Sequence, residues 1–249
     1  MPIYKTECII LRRFSIRETS LVTVLFTERF GKVHGLFKGI RNDPKKFASP
    51  VDIFSVNDIV FYKSRSSNLH LVSQCELKSA MFNASWGRPK IEAAGYVLRL
   101  TELLLPQWQK NPGLYSLLKD TLSMITYVDD PNYVFTAYDI KALKISGFQP
   151  HIDSCVSCRR DIEGESFFSV KQGGILCAGC RHKDMGAREV NPGVIRAIRQ
   201  IGSMHISKCN VLKLSKPMYN ELTDLVHRFL EYHLDVRAQY VLKKAGAVC

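Results

Sequence analysis

Cys155, Cys158, Cys177 and Cys180 form two Cys-x-x-Cys pairs separated by 18 residues. Each short turn can offer two sulfurs to one ion, and four thiolates close a tetrahedron around a single zinc at about 2.3 Å. Four protein ligands leave no coordination position for water, so the expected zinc is structural and contributes roughly 10–16 kcal/mol to local folding. Two disulfides, or four reduced buried cysteines, are the other uses of such thiols. The small residues Val156-Ser157 and Ala178-Gly179 inside the pairs let backbone amides turn toward sulfur, and Gly173-Gly174 supplies a hairpin turn ahead of the second pair. His151 and His182 lie nearby in sequence, but four sulfurs already saturate the ion. The remaining cysteines, Cys8, Cys75, Cys209 and Cys249, are scattered, as suits small buried hydrophobes in a reducing compartment.

Motifs for bond-making chemistry are missing. There is no Gly-x-x-x-x-Gly-Lys-Ser/Thr loop, no Gly-x-Ser-x-Gly elbow and no His-Glu-x-x-His pair. The adjacent carboxylates Asp129-Asp130 precede Pro131, where they read as a helix cap rather than a metal-catalytic pair. The expected protein is therefore not an enzyme.

The second chemistry is electrostatic. Net charge is +12 over 249 residues. Residues 1–80 hold 13 Lys/Arg against 7 Asp/Glu and residues 181–249 hold 12 against 6, whereas 81–150 hold 7 against 6 and 151–180 hold 3 against 4. Two basic regions flanking a near-neutral middle suit a polyanion, because each phosphate neutralised releases counterions. The cations interleave with aromatics: Arg12, Arg13 and Arg17 surround Phe14, and Lys32, Lys38, Arg41, Lys45 and Lys46 cluster around Phe37 and Phe47. Phe14 and Phe37 read as core, and the 38–46 loop is too polar to pack. Arg12, Arg13, Lys32, Lys38, Arg41, Lys45 and Lys46 are thus the candidate DNA contacts, with solvated charged faces as the plainer reading.

Alternating patterns over 3–12, 21–26, 32–38, 51–62 and 69–77, with a glycine turn at Glu28-Arg29-Phe30-Gly31, predict about five short strands. A small Greek-key barrel of the OB type accounts for them, with an SH3-like barrel as the nearest competitor. After residue 82 the period changes to about 3.6. Ile91, Ala94, Leu98, Thr101 and Leu105 share one helical face before Pro106, and a second helix runs from an Asp130 cap to Gly147. A third begins at Asn191-Pro192 with Val194, Ile195, Ile198 and Ile201 inward and Arg196 and Arg199 outward. The last, capped by Ser215, buries Leu222, Leu225, Val226, Phe229, Leu230 and Leu234, leaving Arg228, Arg237, Lys243 and Lys244 for water or phosphate. The fold class is α+β and multidomain: a barrel over 1–80, then a helical domain over 81–249 with the zinc knuckle inserted at 150–185. The opening Met1-Pro2-Ile3-Tyr4-Lys5 lacks the layout of a signal peptide and no apolar run is long enough to span a bilayer, so a cytoplasmic protein with no membrane contact is expected.

The order barrel, helices, four-cysteine knuckle and further helices resembles the bacterial RecO family of recombination mediators. The most specific pieces are Gly-Phe-Gln-Pro-His-Ile-Asp-Ser-Cys-Val-Ser-Cys at 147–158 and Gly-Gly-Ile-Leu-Cys-Ala-Gly-Cys at 173–180, with Phe30-Gly31-Lys32 and Lys38-Gly39-Ile40-Arg41 as weaker N-terminal echoes. The resemblance implies a nonenzymatic repair factor, nucleoid-associated, that binds single- and double-stranded DNA and anneals complementary strands. It also implies RecR and single-strand binding protein as partners, with RecA loaded as the outcome. By position it makes the four cysteines zinc ligands and Lys32, Lys38 and Arg41 DNA contacts. Where the family often continues with serines and cations, this chain has Asn42-Asp43-Pro44, which shortens the basic stripe. A zinc-stabilised RNA-binding accessory of translation or transcription is the alternative reading, and a zinc-dependent nucleic-acid enzyme a third, opposed by the four thiolates.

Overall fold

A computed structural model describes residues 2–16, 18–43, 47–48, 50–82, 85–128 and 131–234. They divide into two compact units between Pro131 and Asn132. The first therefore runs past residue 80 and takes in two helices as well as the barrel.

Five strands make that barrel: β1 (Ile3–Ile16), β2 (Ser20–Thr27), β3 (Gly31–Phe37), β4 (Ser55–Tyr62) and β5 (Leu69–Ala80). They close in the order β1-β2-β3-β5-β4, with β3 and β5 parallel through His34↔Leu69 and Leu36↔Leu71. This is the OB arrangement, and the parallel closure sets it apart from a simple meander. Closure depends on β1 serving two partners. Ile3 to Ile9 pair with β4, Cys8 to Ile16 pair with β2, and a bulge between Ile10 and Arg12 bends the strand between them. Cys8, Leu25, Val33, Phe37, Phe61 and Val72 fill the interior. Gly31 takes φ +72°, and a Cβ there would collide with the Gln109 carbonyl, so only glycine lets the later chain approach this turn.

Two helices complete the first unit, α1 (Arg88–Leu104) and α2 (Pro112–Tyr127). The first lies where the 3.6-residue period places it. The second is not among the helices read from the sequence, although Asn111-Pro112 carries the same start signal as Asn191-Pro192. The Asn111 side chain accepts from the Leu114 amide at 3.0 Å, and Leu114, Leu118, Leu122 and Ile125 are buried at helical spacing.

The second unit holds α3 (Asn132–Ile145), a three-stranded sheet of β6 (Ser166–Ser169), β7 (Gly174–Cys177) and β8 (Arg188–Glu189) in the order β7-β6-β8, then α4 (Pro192–Ser203) and α5 (Lys216–His233). Gly147, at φ +79°, ends α3 as expected, with the Phe148 amide donating to the Leu143 carbonyl. The predicted inward faces of α4 and α5 are buried from Val194 to Ile201 and from Leu222 to Leu230, while Leu234 is half-buried. Ser215 occupies the cap position of α5 without making a side-chain cap bond. Arg228, expected to face outward, is half-buried and pairs with the exposed Asp224 one turn away at 2.9 Å. Arg17, Asp129, Asp130, Arg237, Lys243, Lys244 and Cys249 lie outside the described residues. Among the described residues no helix is long and apolar enough to cross a membrane.

Candidate metal centre and nucleic-acid interface

Backbone bonds place the thiols. The segment 151–156 lies along β7: the His151 amide donates to Gly173, Ile175 donates back to His151, and Val156 donates to Ile175, at 2.8, 2.9 and 2.8 Å. Gly174 is required by this closeness, because a Cβ would strike the His151 carbonyl. The first pair then turns on itself, with the Cys155 amide donating to Arg160 and the Arg159 amide to Cys155, both at 2.9 Å. Arg159 absorbs the turn at φ +64°. The second pair straddles the end of β7 and a 3-10 helix over Ala178–Lys183.

The four Sγ atoms lie within 4.8 Å of one another, Cys158 and Cys177 at 3.9 Å. Bonds of about 2.3 Å in a tetrahedron set sulfurs about 3.8 Å apart, so this donor set fits a zinc-type ion with little movement. Cys155 and Cys180 are buried against Phe167, Leu176 and Ala187. Burial opposes ionisation of Cys155, yet amides from Cys158, Cys177 and Ser157 bring its pKa down to about 6. Burial pushes the Cys180 thiol up to about 11, with the neighbouring thiols adding to it. The amide of Arg160 lowers Cys158. Four thiols this close give up protons in sequence, and a cation would take the place of them all. The described cysteines form no disulfide. His182 is exposed and the His151 ring bonds Ser154 at 2.8 Å, so neither joins the thiol cluster. Arg159, Arg160, Arg181 and Lys183 are exposed around the site. Lys183 donates to Ser157 at 2.7 Å, and the Arg181 guanidinium lies 4.4 Å from the Phe167 centroid. These cations would offset the negative charge that four metal-bound thiolates would carry.

In the barrel unit the predicted cations divide by what they touch. Arg12 pairs with Glu102 of α1 at 2.8 Å, and Arg99 reaches the other oxygen of that carboxylate at 2.9 Å. Lys32 donates to the Glu102 carbonyl at 2.9 Å, and burial lowers its pKa. Arg13 pairs with Asp52 and donates to the Val51 carbonyl. Lys38 and Arg41 are exposed on the turn after β3, where the Arg41 amide donates to Thr19 at 3.0 Å. Lys45 and Lys46 lie outside the described residues. The structure thus brings Arg12 and Lys32 together on Glu102 and presents Lys38 and Arg41 to solvent.

Phe37 is fully buried, as read from the sequence, but Phe14 is not: it is 44% exposed, with the Arg12 guanidinium 5.6 Å from its centroid. Extending the alternation of Cys8 and Ile10 puts Phe14 inside. The bulge before Arg12 breaks that phase, and β1 overruns β4 beyond Ile9, so Phe14 and Ile16 project from the barrel. Two features escape the sequence reading altogether. One is the polar turn joining β4 to β5, with Lys63 and Arg65; the other is Trp108, which sits beside it. Serine-rich composition at Ser64, Ser66 and Ser67 marks the turn as solvated, but nothing local in sequence places a tryptophan from beyond α1 next to it.

Two family models cover the chain. Recombination protein O N terminal matches residues 1–81, and Recombination protein O C terminal matches 89–239. Among curated proteins called DNA repair protein RecO, the one from Alkaliphilus metalliredigens is 29% identical over 93% of this chain and 94% of its own length. Those of Thermoanaerobacter sp. and Pelotomaculum thermopropionicum are 27% and 25% identical, covering 95% and 99% of this chain and 94% and 96% of theirs.

Proposed function

Because the chain belongs to the Recombination protein O family, we propose that it is a DNA repair and recombination mediator. It binds single- and double-stranded DNA, anneals complementary strands and, with RecR, helps load RecA onto DNA coated by single-strand binding protein. The observation that carries this is the family match across both the barrel and the helical part, joined to a net charge of +12. It acts without catalysing bond chemistry, in the cytoplasm and on the nucleoid.

Basic surfaces of the barrel and the C-terminal region neutralise the phosphates of two strands together. This lowers the repulsion that opposes their encounter, and base pairing completes the reaction. Lys38 and Arg41 supply phosphate contacts, and Lys45 and Lys46, close behind them in sequence, add to these. The Arg12 and Arg13 side chains remain 43% and 46% exposed beside their carboxylate partners and can add to the field. Cys155, Cys158, Cys177 and Cys180 hold one zinc, which supplies rigidity to the knuckle and no reactive water.

The deciding experiment measures annealing of complementary oligonucleotides, bare and coated with cognate single-strand binding protein, without nucleotide. Acceleration on both substrates supports the mediator. No acceleration on either, with tighter binding to structured RNA than to DNA, overturns it in favour of an RNA-binding accessory.

A further inference from the structure

The chain between α1 and α2 returns to the barrel. Gln107 bridges to Lys32 in parallel sense, the Trp108 amide donates to the Lys32 carbonyl at 3.2 Å, and Gln107 bonds the His34 ring at 2.9 Å. The segment thus extends the edge of β3 beyond its short pairing with β5. Trp108 is held there at φ +61°, a conformation costly for a residue with a large side chain and met most often where a site imposes it.

The ring packs against the barrel core, 6.4 and 6.3 Å between centroids from Phe30 and Phe61, and its other neighbours are His70 and Lys63. His70, 2% exposed, packs edge-on against it at 4.9 Å between centroids. Its Nδ1 accepts from the Ser64 amide at 3.0 Å, so Nε2 carries the proton, and that buried N–H has no hydrogen-bond partner. Lys63 sets its ammonium 4.3 Å from the ring centroid. The ring is only partly buried, and Arg65, Ser66, Ser67 and Asn68 of the β4–β5 turn are exposed. Charge here is mostly positive: Lys63 acts on His70, and Lys32, Arg12 and Glu102 act on His34.

We propose that Trp108 is a base-stacking platform for single-stranded nucleic acid, with Lys63 and Arg65 taking the phosphates on either side of the stacked base. A base displaces the Lys63 ammonium from the ring and the ammonium passes to the adjoining phosphate, exchanging a cation–π contact for stacking plus an ion pair. His70 acts as a positioning residue: its edge contact and the strained backbone fix the plane of the indole. The inference rests on the nucleic-acid reading above, narrowing it to single strands at this end of the barrel.

The test titrates the full chain with a single-stranded oligothymidylate, the same strand bearing abasic sites, and a duplex of equal length, following tryptophan emission and anisotropy of labelled DNA. Oligothymidylate should quench the emission, and W108A should weaken single-strand binding about tenfold. The salt slope should stay the same in W108A and duplex affinity should be unaffected, while W108F should retain most of the affinity. K63A with R65A should flatten the single-strand slope by about 0.7 for each phosphate no longer neutralised. DNA binding by anisotropy without quenching, equal affinity for the abasic strand, or equal weakening on single strand and duplex in W108A would each overturn the platform and leave the DNA reading standing. A wild-type chain that binds neither DNA overturns both.

Discussion

The knuckle and the barrel both gather reactive groups, but by different means. In the knuckle all four thiols come from 26 consecutive positions, 155–180, and backbone bonds between neighbouring turns bring their sulfurs within 4.8 Å. In the barrel unit most of the charged groups that meet come from strands and helices far apart in sequence. Glu102 of α1 gathers Arg12 of β1 besides its helix neighbour Arg99, and Glu7 of β1 accepts from Tyr115 and Lys119 of α2 and from Lys78 of β5, at 2.9, 2.8 and 2.8 Å. Local spacing therefore specifies a ligand set, whereas a cation's role depends on which carboxylate the fold delivers to it.

Testing the proposed zinc site would sharpen that contrast most. Cys155→Ser with Cys158→Ser, or a strong chelator, should unfold the knuckle and release stoichiometric zinc, a loss on the order of 10 kcal/mol to the local structure. Full retention of zinc and of thermal stability in the double variant would break the assignment. Barrel signals in hydrogen exchange should be unaffected, since the barrel core contains none of these ligands.

Next in size is Glu102→Gln. Its carboxylate side chain is 11% exposed and takes two guanidinium groups, so the variant leaves two cations without a counter-charge and should lose about 3 kcal/mol in denaturant unfolding. A change below about 0.5 kcal/mol would mean that the pair is effectively a surface one.

Glu7 gives a pH-resolved version. Burial disfavours its charge, but hydrogen bonds from Lys119, Lys78 and Tyr115 outweigh it and bring the pKa from 4.5 to about 2. The folded value lies below the unfolded one. Its contribution is therefore complete above about pH 4.5 and is lost as pH falls toward 2. Glu7→Gln should lower stability at neutral pH by about 2 kcal/mol and flatten the acid limb between pH 4.5 and 2. An acid limb parallel to that of the unmodified protein would place its cause elsewhere.

Smallest for stability and largest for binding is Lys38→Glu with Arg41→Glu. Both side chains are exposed, so stability should move by no more than about 0.5 kcal/mol, while the salt slope for single strands flattens by about 1.4 if each contacts one phosphate. An unchanged slope would remove this turn from the interface.

Much of the molecule is legible in the residues alone. The five strands follow from alternation, α1, α4 and α5 from the 3.6-residue period, and the end of α3 from Gly147. α2 escapes that reading even though its Asn111-Pro112 start and its leucines at helical spacing are present. Phe14 reads as core because a bulge, which shifts the phase by one residue, leaves no mark in a pattern of apolar residues. Lys32 reads as a phosphate contact, yet the fold directs its ammonium to a backbone carbonyl of α1.

By itself the sequence determined what depends on near neighbours: the thiol tetrad, the turns at Gly31 and Gly173-Gly174, the helix faces and the sign of the surface charge. Contacts within a few residues are set by backbone geometry and side-chain period, both of which are written in the order of residues. Only the tertiary structure decided which cations face water and that Trp108 lies beside Lys63 and His70. Those pairings join chain segments about 40 residues or more apart in sequence, and their geometry comes from barrel closure and the path of the chain between α1 and α2.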